Sequence, residues 1–280
     1  MKHQNLSLAI FLTIVTWFLM AVLTALAKVC SSYETAPTIL FFQYFVTLIL
    51  ILPFALRTSL KTQHKGPIIL RSLFGVGEYA LLFFAITSIS LAGATVLLNA
   101  GVLFIPFILL FWLKIKISHK LWFPLVVGFV GVYCVLNPDS QTLHYGAILA
   151  IIAGFCMALT MVSLKKLSDE PSIRIIFYYV LLGTLVLLPY VIWTWHPIPW
   201  SVIGLMAVIG VIFAIIQYTF TVSFKFACPA SLAPFSYTYV VFSGLFDWLF
   251  WHHVPPLLSW IGIALIIGGG IWVLYLEKDF

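Results

Sequence analysis

Residues 18–28 read FLMAVLTALAK and residues 155–165 read FCMALTMVSLK. Phenylalanine opens both, Met-Ala follows at the third and fourth places, and lysine closes both, at an offset of 137. Each is the tail of a long apolar run. Outward from this pair the chain is a series of such runs, at 6–29, 37–56, 68–87, 93–113, 121–137, 144–164, 173–194, 200–224, 229–251 and 256–276. Each is near the ~20 residues that a helix needs to cross the hydrocarbon core of a bilayer. The connections are short, so no soluble domain is left over. Of the 280 residues 63% are hydrophobic and 8% charged, against about 25% charged in a soluble domain. The net charge of +6 is therefore read against lipid, and nucleic acid is not expected as a partner.

The likeness between 18–28 and 155–165 extends along the chain. Both stretches lie in the first helix of a set of five. Pro53 and Pro189 recur near the ends of the second helices, and at an offset of 138 Ala92 pairs with Ala230, Trp122 with Trp260 and Gly131 with Gly269. Chance similarity among apolar helices is the alternative, but the order and near-constant offset favour duplication. Five is odd, so the second copy enters the membrane from the opposite side. The expected fold is an all-α membrane protein of ten transmembrane helices, built as two inverted-topology repeats of five over 1–138 and 139–280. That architecture puts a substrate site near the bilayer midplane between the halves.

Charge fixes the orientation. With the N-terminus in the cytoplasm, thirteen of the 14 Lys and Arg, Arg71 among them, fall on the inner side, and only Lys28 falls outside. This is a strong positive-inside bias, and it puts both termini in the cytoplasm. Lys2, the apolar run and Ala25-Leu26-Ala27 imitate a secretory signal. The run from Leu6 to Ala27 is longer than a usual signal core, so the first helix is expected to be retained. The four cysteines show neither a disulfide framework nor metal-ligand spacing.

Two longer stretches carry a family resemblance. PASLAPFSYTYVVFSGLFDWLF (229–250) with WIGIALIIGGG (260–270) resembles the end of the EamA family of the drug/metabolite transporter superfamily. SLAGATVLLNAGVLFIPFILLFWL (90–113) with WFPLVVGFVGVYCVLNP (122–138) resembles the equivalent part of the first EamA repeat. The branch most resembled contains S-adenosylmethionine uptake carriers. The resemblance implies ten helices, a central cavity and secondary transport of small metabolites in a bacterial cytoplasmic (inner) membrane. It also has a departure: the Gly-Glu pair that usually ends the fourth and ninth helices is replaced by Lys114-Ile115 and His252-His253.

Candidate chemistry lies at mid-depth. Glu78 sits about ten residues, or roughly 15 Å, from either end of the third helix, and it is the only acid near the bilayer centre. A carboxylate there costs several kcal/mol against lipid (about 3 on insertion scales), so it must face protein or water. It is a candidate for binding a cationic or zwitterionic substrate and for carrying a proton. A protonated structural carboxyl is the plain alternative. The repeat pairs Asn99 with Tyr237 and Tyr79 with Gln217, four polar groups that either line the substrate site or join helices. Trp17 is the one tryptophan in mid-helix, and it could stack on a planar substrate or simply pack. Asp247, within a turn of the outer rim, is expected to be solvated, and Lys28 to snorkel to the outer headgroups. No metal site is expected and no cofactor is implied.

The residues and the resemblance together point to a carrier working by alternating access. Its expected cargo is a small amphipathic metabolite, an amino acid or an S-adenosylmethionine-like molecule, and its expected surroundings are membrane lipid. A proton is the candidate coupling ion, and monomer and homodimer are both open. An intramembrane enzyme would need a second acid, a nucleophile–base pair or metal ligands at matching depth. A non-transporting receptor or assembly factor would usually carry a soluble recognition domain.

Overall fold

Short polar corners separate the apolar rods, and turn chemistry sets several of them. In the computed structural model, residues 6–113, 123, 126–128, 130, 131, 134, 145–226, 232–252 and 256–277 are described. The elements are α1 (Leu6–Cys30), α2 (Ala36–Leu56), α3 (Lys65–Ser88), α4 (Leu91–Asn99), a 3-10 segment (Ala100–Phe104), α5 (Ile105–Leu113), α6 (Tyr145–Lys166), α7 (Ser172–Trp193), α8 (Trp200–Phe226), a second 3-10 segment (Ala233–Ser236), α9 (Tyr237–Trp251) and α10 (Leu257–Glu277). Thr35 and a proline in the first turn open α2, where the missing N–H of proline costs nothing. The Ser90 hydroxyl accepts the Gly93 N–H at 3.1 Å and caps α4. Pro53 and Pro189 lie inside α2 and α7, as the repeat requires. No strand is found among the described residues.

Six helices, α1, α2, α3, α6, α7 and α8, are long and apolar enough to cross a membrane. The remaining expected spans take other forms. The fourth is broken in its middle: α4 tightens into the 3-10 segment at Ala100 before α5 resumes at Ile105. The ninth begins with its own 3-10 segment, and the tenth is α10. Of the fifth span, residues 123, 126–128, 130, 131 and 134 are helical, and the rest lies outside the described residues.

Helix contacts fall into symmetric pairs. α1 packs on α8 as α3 packs on α6; α1 packs on α9 as α4 packs on α6; α2 packs on α8 as α3 packs on α7. Two further contacts, α2 with α7 and α4 with α9, join equivalent helices of the two sequence repeats. At the α4–α6 crossing the 3-10 segment touches backbone to backbone, because Gly101 and Gly154 leave no room for a β-carbon between them. Close approach through small residues is how helices associate where lipid removes the hydrophobic drive. One large apolar core joins α1, α2 and α3 to α6, α7 and α8. Trp193, Trp195, Trp200, Trp248, Trp260 and Trp272 are exposed on the outside of the bundle, where an interfacial belt would need them.

Candidate functional site

Arg71 is not a rim charge. It lies six residues into α3 and is only 2% exposed. Its guanidinium folds along the helix into the space that Gly75 leaves free of a side chain, and it lies 4.4 Å from the centre of the Tyr179 ring. Nη2 donates to Oε1 of Gln217 at 3.0 Å. Gln217 reaches on through Nε2 toward the Tyr79 hydroxyl at 3.5 Å, and that hydroxyl donates to Sδ of Met20 at 3.4 Å. Tyr179 donates to the Gly75 carbonyl at 3.2 Å, which leaves Tyr44 to donate to the Tyr179 hydroxyl at 3.0 Å. Phe213 fills the middle of the cluster, with ring centroids 5.4 Å from Tyr44 and 4.9 Å from Tyr79. Two guanidinium nitrogens, Nε and Nη1, are buried without a hydrogen-bond partner.

Glu78 lies two turns beyond Arg71 on the same face of α3, since seven residues span nearly two helical repeats. It is 7% exposed. Its carboxyl makes no hydrogen bond among the described residues, and no salt bridge joins it to Arg71, although Arg71 is near enough to act on it electrostatically. A guanidinium and a carboxyl thus share one buried face without touching. At the offset of 138 that pairs Tyr79 with Gln217, Arg71, Gly75 and Glu78 fall opposite Ile209, Phe213 and Ile216, all buried. The charges belong to one half of the molecule; the other half answers with hydrocarbon.

The sequence pairing of Tyr79 with Gln217 is a contact in the folded chain. Trp17 is buried and stacks on Tyr239 at 5.7 Å, with Phe220 edge-on at 5.9 Å. Asn99 donates its amide to the carbonyl of Thr95 at 2.9 Å, where α4 turns 3-10, and its side-chain oxygen is buried and unpartnered. Among the described residues no hydrogen bond joins Asn99 to Arg71, Glu78 or Gln217. Tyr237 opens α9; its side chain lies outside the described residues. Tyr239 is the α9 tyrosine that enters the core, where it donates to the Thr24 hydroxyl at 3.3 Å. Three residues that sequence reasoning did not place here are Arg71, Tyr239 and Gln43. Gln43 is fully buried with both amide atoms unpartnered. A polar residue inside an apolar run was the available signal for Gln43. For Arg71 the signal was misleading, because the nearby Arg57, Lys61 and Lys65 made it look like one more inner-loop cation.

The rims are tied by ion pairs. Asp247 is 1% exposed, not solvated as its place near the rim suggested. It meets Lys28 at 3.5 Å and accepts the Ala92 N–H at 3.2 Å, so a carboxylate from α9 caps the start of α4. Lys28 therefore turns inward, to Asp247 and to the Trp251 ring at 4.8 Å, and does not snorkel to headgroups. In the same-side corners, Glu34 meets Nε2 of the exposed His196 at 3.0 Å while Nδ1 faces the Thr194 carbonyl at 3.2 Å. The Thr194 carbonyl and then Glu34 raise the His196 pKa. At the opposite end, Glu170 accepts from Thr62 at 2.6 Å and pairs with Arg174, whose Nε donates to the Ser59 carbonyl at 2.7 Å. Burial alone would push the Glu170 carboxyl up, but Thr62 and Arg174 together hold it below its ordinary value. Glu34 and Glu170 stand at equivalent corners of the two repeats, one latch at each end of the bundle.

The profile described as the EamA-like transporter family matches residues 7–137 and again 144–275. Among similar proteins, an S-adenosylmethionine uptake transporter of Rickettsia felis is 26% identical, with 98% of this chain and 97% of the relative aligned. A pseudopaline exporter of Pseudomonas aeruginosa is 26% identical over 92% of this chain and 93% of its own. A riboflavin transporter of Vibrio cholerae is 26% identical over 95% and 92%. A solved crystal structure shares the fold with a TM-score of 0.69 at 16% identity, covering 99% of both chains.

Proposed function

The chain belongs to the EamA-like transporter family, and from that premise we propose that it is a secondary carrier of a small, cation-bearing metabolite. It spans the cytoplasmic membrane as two inverted repeats of five helices, meeting near residues 138 and 139, and works by alternating access. An amino acid or an S-adenosylmethionine-like molecule is the favoured cargo. The repeated match of one family profile, the symmetric helix contacts and the twin rim latches support this architecture. Two halves that rock about a shared site reach inward-open and outward-open states through similar contacts.

The observation that carries the proposal is Glu78. A carboxyl this buried, without a hydrogen-bond partner among the described residues, is a functional group by default inside a membrane. It faces the cluster where α1, α3 and α8 supply Met20, Tyr79 and Gln217. It can neutralise an ammonium or sulfonium group, or it can hold a proton and release it as the site opens. Trp17 and Tyr239 offer a stacked aromatic wall beside it, and Asn99 and Tyr237 remain candidates on the fourth helix of each half.

The test is uptake into proteoliposomes with and without a pH gradient, wild type beside Glu78→Gln, with folding checked by thermal melting. The amide is nearly isosteric, so the fold is kept. Net transport is expected to be abolished, or to lose its pH dependence. If Glu78 binds the cargo directly, affinity falls by about 1–3 kcal/mol, the scale of a lost charged hydrogen bond. Unchanged kinetics and pH dependence would make Glu78 a structural group.

A further inference from the structure

Arg71 has more hydrogen-bonding capacity than the protein uses. A guanidinium offers five N–H donors in a rigid planar fork that matches a carboxylate edge to edge. Here Gln217 takes Nη2, the Tyr179 ring covers one face, and Nε and Nη1 stay buried and unpartnered. Leaving a charged donor unmet in an apolar interior is among the costlier arrangements a protein can adopt. Glu78 is the obvious counter-ion, two turns away on the same helix face, yet the two form no salt bridge. The protein therefore keeps apart a guanidinium and a carboxyl that could pair if joined.

A group that brings both signs at once resolves this. We propose that Arg71 is the anion pole of the substrate site, taking the carboxylate of a zwitterionic metabolite whose cationic group meets Glu78. This rests on the carrier reading above and adds the second charge of the cargo. Gln217 holds the guanidinium in place and, through Tyr79, ties it to α1; Gly75 supplies the room; Tyr179 fixes the plane of the fork. Access comes from the same end of the bundle. A groove of about 820 Å³ opens there between the α2–α3 corner and α7, lined by Lys61 and Lys65 among others, and reaching Ile68 and Tyr178. Ile68 is three residues from Arg71 and Tyr178 adjoins Tyr179 in sequence, so the groove opens at the end of the bundle nearer the guanidinium. Its lysines draw anions toward it.

The experiment compares matched pairs of ligands that differ only in the carboxylate. The purified full-length chain is titrated with S-adenosylmethionine and its decarboxylated form, and with each L-amino acid beside the corresponding amine, reading binding by thermal shift and by calorimetry. At least one zwitterion is expected to bind, and its amine to bind about ten- to a hundredfold more weakly, the range for losing a charge-assisted hydrogen-bond pair. Arg71→Gln should erase most of that preference, weakening the zwitterion and bringing its affinity toward that of the amine. Arg71→Lys, which keeps the charge without the fork, should retain part of it. A merely structural Arg71 would shift the melting temperature without moving the ratio of the two affinities.

Equal binding of zwitterion and amine, or a preference that survives in Arg71→Gln, would overturn the proposal. So would the failure of every zwitterion to bind. The carrier reading fails differently: amines that bind and depend on Glu78 leave it standing with Arg71 removed from it. Ligands that bind with no dependence on Glu78 overturn that reading whatever Arg71 does.

Discussion

At the scale of single residues, charge inside the bundle was only partly legible. Glu78 could be found because it is an acid in an uncharged run, and counting residues gave its depth. Arg71 could not, because the decision between rim and interior rests on which way the side chain folds, and beside Gly75 one turn along it is Tyr179, from a distant helix, that makes that decision. Asp247 shows the same limit. Its distance from the rim suggested water, but Lys28 and the Ala92 N–H come from two other helices to enclose it. Removing one partner of a buried ion pair strands the other, so Asp247→Ala should destabilise the fold by about 2–3 kcal/mol. The partial exposure of the Lys28 side chain (12%) places the effect at the low end of such losses. Asp247→Asn, which can still accept the Ala92 N–H, should cost less. Melting temperatures of the two variants against wild type in one detergent check the order, and an Asn variant as unstable as the Ala variant would put the ion pair before the cap.

At the scale of elements, the long apolar rods were readable from run length alone, and α1, α2, α3, α6, α7 and α8 lie where the runs put them. The 3-10 break at Ala100–Phe104 was not read in advance, although Gly101 and Pro106 mark it, since a proline at 106 removes the N–H that would bond back to the Val102 carbonyl. At the same place Gly101 is pressed against Gly154 of another helix, a tertiary contact that the local sequence does not show. The corner latches were equally hidden, since each joins residues more than 100 positions apart. They differ in chemistry, and so in their response to pH. With both ring nitrogens facing acceptors, the protonated form of His196 is the one the corner satisfies. Its folded pKa is raised above the ordinary 6.5, so the latch is intact below that value and is lost as pH rises through the raised one. The Glu170 carboxyl is held below its ordinary value, so that latch is present at and above the usual carboxylate range and is lost only on strong acidification. Hydrogen exchange across 31–36 should therefore quicken on going from the acid to the alkaline side of the imidazole range, while exchange across 167–171 stays the same. In His196→Ala the first effect should vanish; exchange that still quickens there would assign the pH response to another group.

At the scale of the whole molecule, the odd number of helices per repeat was the strongest inference available, because the internal likeness and the charge bias reach it independently. The paired contacts agree with a twofold repeat. The bonds across corners fit it too: Glu34 with His196 at one end, Glu170 with Thr62 and Lys225 at the other. A reporter active only in the cytoplasm should therefore be active at the C-terminus and in the 57–67 corner, and silent in 138–143. Activity in 138–143 would reverse the insertion, and would leave the count of basic residues without a cause.

The two halves are alike in frame and unlike in lining. Where α3 presents Arg71, Gly75 and Glu78, the matching helix presents Ile209, Phe213 and Ile216. On the proposed reading, a cargo held by its charges is bound chiefly by α3, since the positions equivalent to Arg71, Gly75 and Glu78 carry no charge. The entrance it leaves by is then not the mirror image of the one it came in through. The second half contributes neutral groups to that site, Gln217 and Tyr179, and no charge of its own. If Glu78 and Arg71 hold the cargo as proposed, loading and unloading run at unequal speeds on the two sides, while the net direction stays with the gradients that drive it.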